Sequence, residues 1–435
     1  MREGINVDKV NRLRCRVFAG PLVALALAVN TVSPAFAADA LTLGDVVNAA
    51  VTKNPAVTEA QKRWEEKDSK VTSAQALANP QLGVMKDDIP RGTLGVGQAM
   101  MTEYDFVQDI MNPAKLKLMG KMAASDAAMA KGNYDDKRLQ AYTDAKLAYY
   151  DLLYAAQALA IGRENQQLMG QLAKIAQVNY STGMVPLQDT LRAQTEYTKM
   201  TTDLISMAGM EAVARAKLNV AMGRPADDEL AVKEEFNTPP PNFDLAALQA
   251  TAGNTRPSLQ GMQAQVAMAE NGLRLAKKQA TLPDFQITIG YKDYRGEMTA
   301  DTWKVGVMAM LPLWGGKNQA DIRAANASLE AGKAALATME NMAGLDVQMA
   351  LTDARTAWSQ IDLYKNTIVP QAEQSYQAVV VAYTNGQADF MAVLDAVTTL
   401  RSAKLGYYKA RIDYEKAATS LEKAVGKPLF TNVGQ

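Results

Sequence analysis

From Ala114 to Val185 the chain has no proline, and its apolar positions recur at alternating steps of three and four: Tyr142, Ala145, Tyr149, Leu152, Ala156 and Leu159. That spacing is the seam of a coiled coil. At 1.5 Å per residue, such a helix is about 100 Å long, more than an ordinary globular domain contains. The seam returns at Val347, Leu351, Ala354, Trp358 and Ile361, then at Ala372, Tyr376, Val379 and Tyr383. Each long pattern breaks at a glycine, Gly183 or Gly386, and an antiparallel helix is predicted beyond it, Leu187 to Met222 and Phe390 to Val425. Shorter helical segments, Leu43 to Ala78 and Leu245 to Ala280, precede short stretches in which the period falls to two. Phe285, Ile287, Ile289 and Tyr291 alternate with polar or small residues, and Trp303, Val305, Val307, Ala309 and Leu311 do so again after the turn-rich Asp293 to Asp301. This predicts a β-hairpin with one apolar face. Its weaker counterpart uses Leu82 and Val84, then Val96 to Phe106, around Pro90-Arg91-Gly92.

The two halves are copies. Pro80 and Pro283, Tyr180 and Tyr383, Gly183 and Gly386, Leu191 and Leu394, Ala193 and Ala396, Gly223 and Gly426, and Pro225 and Pro428 are each 203 residues apart. Asn54-Pro55 matches Arg256-Pro257 at 202. The expected organisation is a signal peptide over 1–37, a first structural repeat over 38–235, a Pro-rich linker over 236–244, a second repeat over 245–428 and a tail over 429–435. Pro239-Pro240-Pro241 predicts an extended linker.

The export signal rests on Arg12, Arg14 and Arg16, an apolar run from Val17 to Val29, and Ala35-Phe36-Ala37 as a small-x-small cleavage site. Its removal takes the one cysteine, Cys15, and leaves 41 Lys+Arg against 44 Asp+Glu, a net charge of −3. No disulfide and no thiolate are then expected. With no histidine in the chain, a Ser-His-Asp triad, a His-ligated zinc and a His general base are excluded. The balanced charge leaves no nucleic-acid footprint. No cofactor and no metal site are expected. The 23 methionines suit soft cations in principle, but at helical spacing they read first as core packing. Leu94-Gly95-Val96-Gly97 lacks the rest of a nucleotide fingerprint and reads as a turn.

Two hairpins per chain cannot close a barrel, and an open sheet with an apolar face leaves edges exposed. Several chains must pool strands, and three copies give twelve. Here the residues resemble the TolC-type outer-membrane factors, also called outer membrane efflux proteins. The resemblance is carried by Leu41-Thr42-Leu43 with Asn54-Pro55, by Ala382-Tyr383-x-x-Gly386 followed by Val393-Leu394-Asp395-Ala396, and by the closing Gly-x-Pro triplets. Phe106-Val107-Gln108 before Pro113-Ala114-Lys115, and Val369-Pro370-Gln371-Ala372, resemble the heavy-metal branch typified by CzcC and CusC, although Asp109 to Asn112 departs from its usual spacing. The implied fold is mainly α with a small β part: a tandem-duplicated, TolC-like chain with a long coiled-coil tunnel and four strands for a trimeric, 12-stranded barrel.

That resemblance implies a non-enzymatic exit duct of a Gram-negative outer membrane with a periplasmic tunnel, passive and possessing no catalytic residues. Implied partners are two further copies in a homotrimer, outer-membrane lipid, a periplasmic adaptor (membrane fusion) protein and an inner-membrane pump of RND or ABC type. Cargo on this reading is heavy-metal cations, with drug efflux or type I protein secretion as the alternative. Tips for adaptor docking fall at Gly183 with Met184 and Gly386 with Gln387. A periplasmic gate is implied at Asp189, Tyr383, Asp389 and Asp395, with Tyr383 hydrogen-bonded to Asp189. A different class, an exported coiled-coil structural protein or adhesin, accounts for the heptads. It leaves the paired hairpins and the aromatic girdle candidates Tyr291, Tyr294, Trp303 and Trp314 unexplained.

Overall fold

Thr42 opens the first helix, α1 (Leu43–Lys53), with a capping box: its hydroxyl accepts the Asp45 amide at 3.2 Å and Asp45 accepts the Thr42 amide at 3.1 Å. The computed structural model describes residues 40–430 except 88, 90–96, 98, 237 and 296–299. The expected signal peptide, the Pro90-Arg91-Gly92 turn, the turn at Leu94 to Val96 and residues 431–435 lie outside the described residues.

Each leading helical segment is two helices, where one was expected. Pro55 has no amide for a continuing ladder, so α1 stops and Asn54 caps α2 (Pro55–Ala74) by accepting the Ala56 amide at 2.9 Å. Pro257 separates α5 (Leu245–Thr255) from α6 (Pro257–Gln279) in the same way. The strands are β1 (Gln81–Asp87), β2 (Met101–Ile110), β3 (Asp284–Tyr294) and β4 (Thr302–Met310). β2 thus starts later than the expected Val96 and runs on to Ile110. All four form one antiparallel sheet in the order β1-β2-β3-β4, so the two repeats are joined through β2 and β3.

The first long helix, α3 (Pro113–Ser181), runs 69 residues, and α4 (Leu187–Ala221) returns along it. Their antiparallel course is fixed by Thr190 bonding the Ala176 carbonyl and Gln166 bonding Thr201. The second long pattern is interrupted. α7 (Gly315–Leu363) passes through a π-helical turn at Tyr364–Ile368 into α8 (Val369–Thr384), before α9 (Phe390–Val425) returns. The cause is Pro370, whose ring cannot sit against the carbonyl four residues back, so the ladder widens by one residue. Trp358, expected in the seam, is exposed at 37% and packs its edge on Tyr414, while Ala357 takes the buried position.

Two bonds seat the sheet on the helices. Asp284, the first residue of β3, accepts the Asn112 amide at 2.9 Å and pairs with Lys115 of α3 at 2.8 Å. The segment after Thr238 is pinned to α9, with Tyr414 donating to the Pro239 carbonyl and Thr238 to Glu415, and it turns tightly where the Asn242 amide donates to the Pro240 carbonyl at 2.8 Å. Among the described residues no helix is long and apolar enough to cross a membrane.

Candidate functional site

The sheet has two chemically distinct faces, because successive side chains alternate. Cross-strand partners Leu82–Phe106 and Val84–Tyr104, then Phe106–Ile289 and Tyr104–Tyr291, then Ile289–Val305 and Tyr291–Trp303, put apolar side chains on one face. In one chain that face is bare: Leu82 is 83% exposed and Val305 75%. The other face carries Glu103, Asp105, Lys292 and Lys304, joined by ion pairs. Apolar outside and polar inside is the alternation of a membrane barrel strand. Among the girdle candidates, Tyr291 and Trp303 meet in a tilted ring pair at 5.1 Å on the apolar face and Trp314 is exposed just after β4. Tyr294 shares the parity of Lys292 instead, so it does not belong with them.

At the far ends of the helices the two reversals are built alike. Gly183 (φ 74) and Gly386 (φ 69) occupy the left-handed region, open to glycine without a Cβ penalty. Met184 donates its amide to Asn179 O and Gln387 donates to Ala382 O, both at 2.8 Å, closing Schellman motifs. Met184 and Gln387 are both exposed, beside their glycines. Beneath them one cluster ties the hairpins together: Met169, Leu172, Ala176, Ala193 and Met200 of the first pack with Tyr383, Phe390, Val393 and Val397 of the second.

Three of the four expected gate residues meet here. Tyr383 is fully buried against the Phe390 ring at 5.9 Å. Burial and then the Asp189 charge hold its phenol above the usual range. The expected Tyr383–Asp189 hydrogen bond is absent, since the Tyr383 hydroxyl is buried without a partner; packing of the ring in the cluster fixes its position. Asp189 lies in the first turn of α4, half-buried. Burial, then the nearby Asp389 carboxylate, raise its carboxyl, against Arg192, which lowers it. Asp389 caps α9 by accepting the Ala392 amide at 2.8 Å. Asp395 stands apart, exposed in the second turn of α9. Arg192 was missed by the sequence reading, although its position one turn after Asp189 was visible there. It donates to the Met391 sulfur of the other hairpin at 2.8 Å.

The raised Asp189 sets the sign of a pH effect. A raised folded-state value means that folding favours the protonated acid, a contribution present below the unfolded value and lost as pH rises through the folded one. Asp189→Asn is therefore expected to be more stable than wild type near about pH 7, with the difference closing toward about pH 4. Thermal unfolding across that range measures it; a difference independent of pH would remove Asp189 from the account.

Residues 248–427 match the family described as outer membrane efflux protein. The chain is 20% identical over 400 residues to the cobalt-zinc-cadmium resistance protein CzcC of Cupriavidus metallidurans, covering 91% of this chain and 92% of that one. It is 23% identical over 429 residues to the outer membrane protein TolC of Escherichia coli, covering 90% and 86%. Among solved structures, CusC superposes with a TM-score of 0.77 at 17% identity, covering 90% of this chain and 93% of that one.

Proposed function

The chain carries an outer membrane efflux protein domain, is homologous to CzcC and TolC and has the TolC-like fold, and from that premise we propose that it is the passive outer-membrane exit duct of a tripartite efflux system exporting heavy-metal cations. The observation that carries the reading is the two-faced, four-stranded sheet with free edges at β1 and β4, joined to helices of about 100 Å. Three copies supply twelve strands, and β4 of one meets β1 of the next in a homotrimer that sits in outer-membrane lipid. The export leader over 1–37 delivers the chain, and the two repeats with their linker build one third of the tunnel. A periplasmic adaptor and an inner-membrane pump of RND or ABC type drive it, and the duct performs no catalytic step of its own.

Metal cargo is favoured by the similarity to a cobalt-zinc-cadmium resistance protein over nine-tenths of both chains. A conduit needs no ligand set, and Met169, Met200 and Met222 are core packing in the helical clusters. Met184 and Gln387, with the glycines beside them, form the adaptor-docking tips. Asp189, Tyr383, Asp389 and Asp395 form the periplasmic gate, with three copies of Asp395 around one axis attracting cations.

One set of strains and bilayers tests all of this. A strain lacking the gene should become sensitive to cobalt, zinc or cadmium and recover with the wild-type gene; sensitivity to drugs alone, or loss of a secreted protein alone, overturns the metal cargo. Replacing Met184 and Gln387 by Trp should abolish recovery while purified trimers still conduct. Asp395→Ala should weaken cation preference and trivalent-cation block from the periplasmic side, and unchanged block moves the constriction elsewhere.

A further inference from the structure

Two adjacent rows on the polar face of the sheet hold four charges whose geometry the exit-duct reading does not explain; Asp87 stands one row further out on the same face, and Asp109 and Asp284 stand nearer the helices. Glu103 and Lys292 are direct cross-strand partners, and in the next row Asp105, Gly290 and Lys304 lie side by side across β2, β3 and β4. Lys304 therefore reaches its acids across an intervening strand. Its Nζ is 3.0 Å from Glu103 Oε1 and 3.6 Å from Asp105 Oδ1, while Lys292 Nζ is 3.6 Å from Glu103 Oε2.

That reach exists because the strand between has no side chain. A Cβ on Gly290 would lie 2.6 Å from Asp105 Oδ1, 3.5 Å from Lys304 Cβ and 3.6 Å from Glu103 Oε1. Glu103 is consequently nine-tenths buried although it faces away from lipid, and Asp105 Oδ1 is covered without a hydrogen bond. Gly83 continues the Asp105 row on β1, and Gly306 lies on β4 in the row beyond. Since β2 leads from Ile110 into α3, its other end is the outer one. Glu103 is two residues from that end, about 7 Å.

Resting on the exit-duct reading, we infer that Glu103, Asp105, Lys292 and Lys304 form a charge-balanced collar just inside the outer mouth of the barrel, which keeps multivalent cations from being held there. Two carboxylates per chain, six per trimer, would bind a passing multivalent cation if they faced the lumen alone. Two lysines per chain cancel them, and Lys304 lies over both acids. Cargo can then leave without a second binding step at the exit, since conduction requires that sites be weak enough to leave. The collar thus acts on release, at the opposite end of the molecule from the gate residues.

The test uses purified trimers in planar bilayers with hexaamminecobalt(III) as the probe, added to one chamber at a time. Lys304→Met should lower the half-blocking concentration from the outer side at least tenfold and leave block from the periplasmic side unchanged. Adding Glu103→Gln to Lys304→Met removes one charge of each sign and should return outer-side block to the wild-type value. An assembled Lys304→Met trimer with wild-type outer-side block overturns the inference, and so does a loss of heat stability unaccompanied by altered block, which assigns the cluster to barrel rigidity alone. If Lys304→Met does not assemble, Lys292→Met carries the same two outcomes. A wild-type protein that gives no conductance at all defeats the exit-duct reading instead.

Discussion

Gly426→Ala is expected to cost about 3 kcal/mol and to leave little assembled protein, while Gly386→Ala is expected to cost about 1 kcal/mol. All four of Gly183, Gly223, Gly386 and Gly426 have φ between 69° and 87°, so each pays the same backbone term on gaining a Cβ. What differs is the space around them. At Gly183 and Gly386 an added Cβ meets nothing within 4 Å. At Gly426 it comes within 2.7 Å of Arg256 Cα and 2.9 Å of Arg256 N, and at Gly223 within 2.8 Å of Lys53 O. These are backbone atoms at the breaks between α5 and α6 and between α1 and α2, and backbone cannot rotate aside as a side chain can. Each repeat therefore presses the C-terminal cap of its last helix into the break between its first two. The contact is reinforced by Asn54 bonding the Ala221 carbonyl at 3.2 Å and Thr255 bonding the Val425 carbonyl at 2.6 Å. Gly223→Ala should fall close to Gly426→Ala. Heat-induced dissociation of the four single variants measures the series, and equal losses for all four would show that the close approach contributes nothing.

The contrast between these glycines also marks what local sequence can say. The 203-residue offset pairs Gly183 with Gly386 and Gly223 with Gly426, the first pair legible as turn glycines after long helical patterns and the second only as repeat partners in the Gly-x-Pro triplets. Nothing local separates a glycine in open space from one against a backbone break 170 residues away. The helices themselves were legible, because a proline-free heptad pattern of that length has one stable form. So was the two-faced sheet, where Tyr104 and Phe106 alternate with Glu103 and Asp105 in plain view. The π-helical turn was signalled by Pro370, but a proline in a helical pattern reports a break and not its kind. Trp358 against Ala357 is a finer failure: a seam with steps of three and four allows either neighbour, and the choice came from Tyr414 on α9. The Tyr383–Asp189 bond was taken over from resemblance, and ring packing against Phe390 overrides it here.

Lys146→Met is expected to destabilise the protein by about 3 to 5 kcal/mol, because it strands a buried carboxylate. Lys146 of α3 and Glu422 of α9 meet at 2.7 Å with side chains 8% and 1% exposed, joining the first repeat to the end of the second. Glu422 is satisfied on both oxygens. Oε2 also accepts the Tyr142 hydroxyl at 3.0 Å, and Oε1 accepts the amides of Leu429 at 3.1 Å and Phe430 at 3.3 Å. Those last two bonds hold the chain after α9 in place, with Phe430 packed on Phe243 of the linker at 5.4 Å. Removing the lysine leaves three neutral hydrogen-bond donors around a full negative charge in a buried site, which hydrogen bonds alone compensate only in part. Glu422→Gln should cost less than Lys146→Met: the amide oxygen can still accept two of these bonds, and the buried Glu415 carboxylate still interacts with the Lys146 ammonium. The double variant Lys146→Met with Glu422→Gln carries neither charge of this pair, so its loss should be smaller than the sum of the two single losses by about 1 kcal/mol or more, the coupling seen for contacting charged groups. A double-mutant cycle by thermal unfolding reads that coupling directly. Additive losses would mean that water reaches the pair and that the link between α3 and α9 rests on apolar packing such as that of Tyr150 with Ile412 instead.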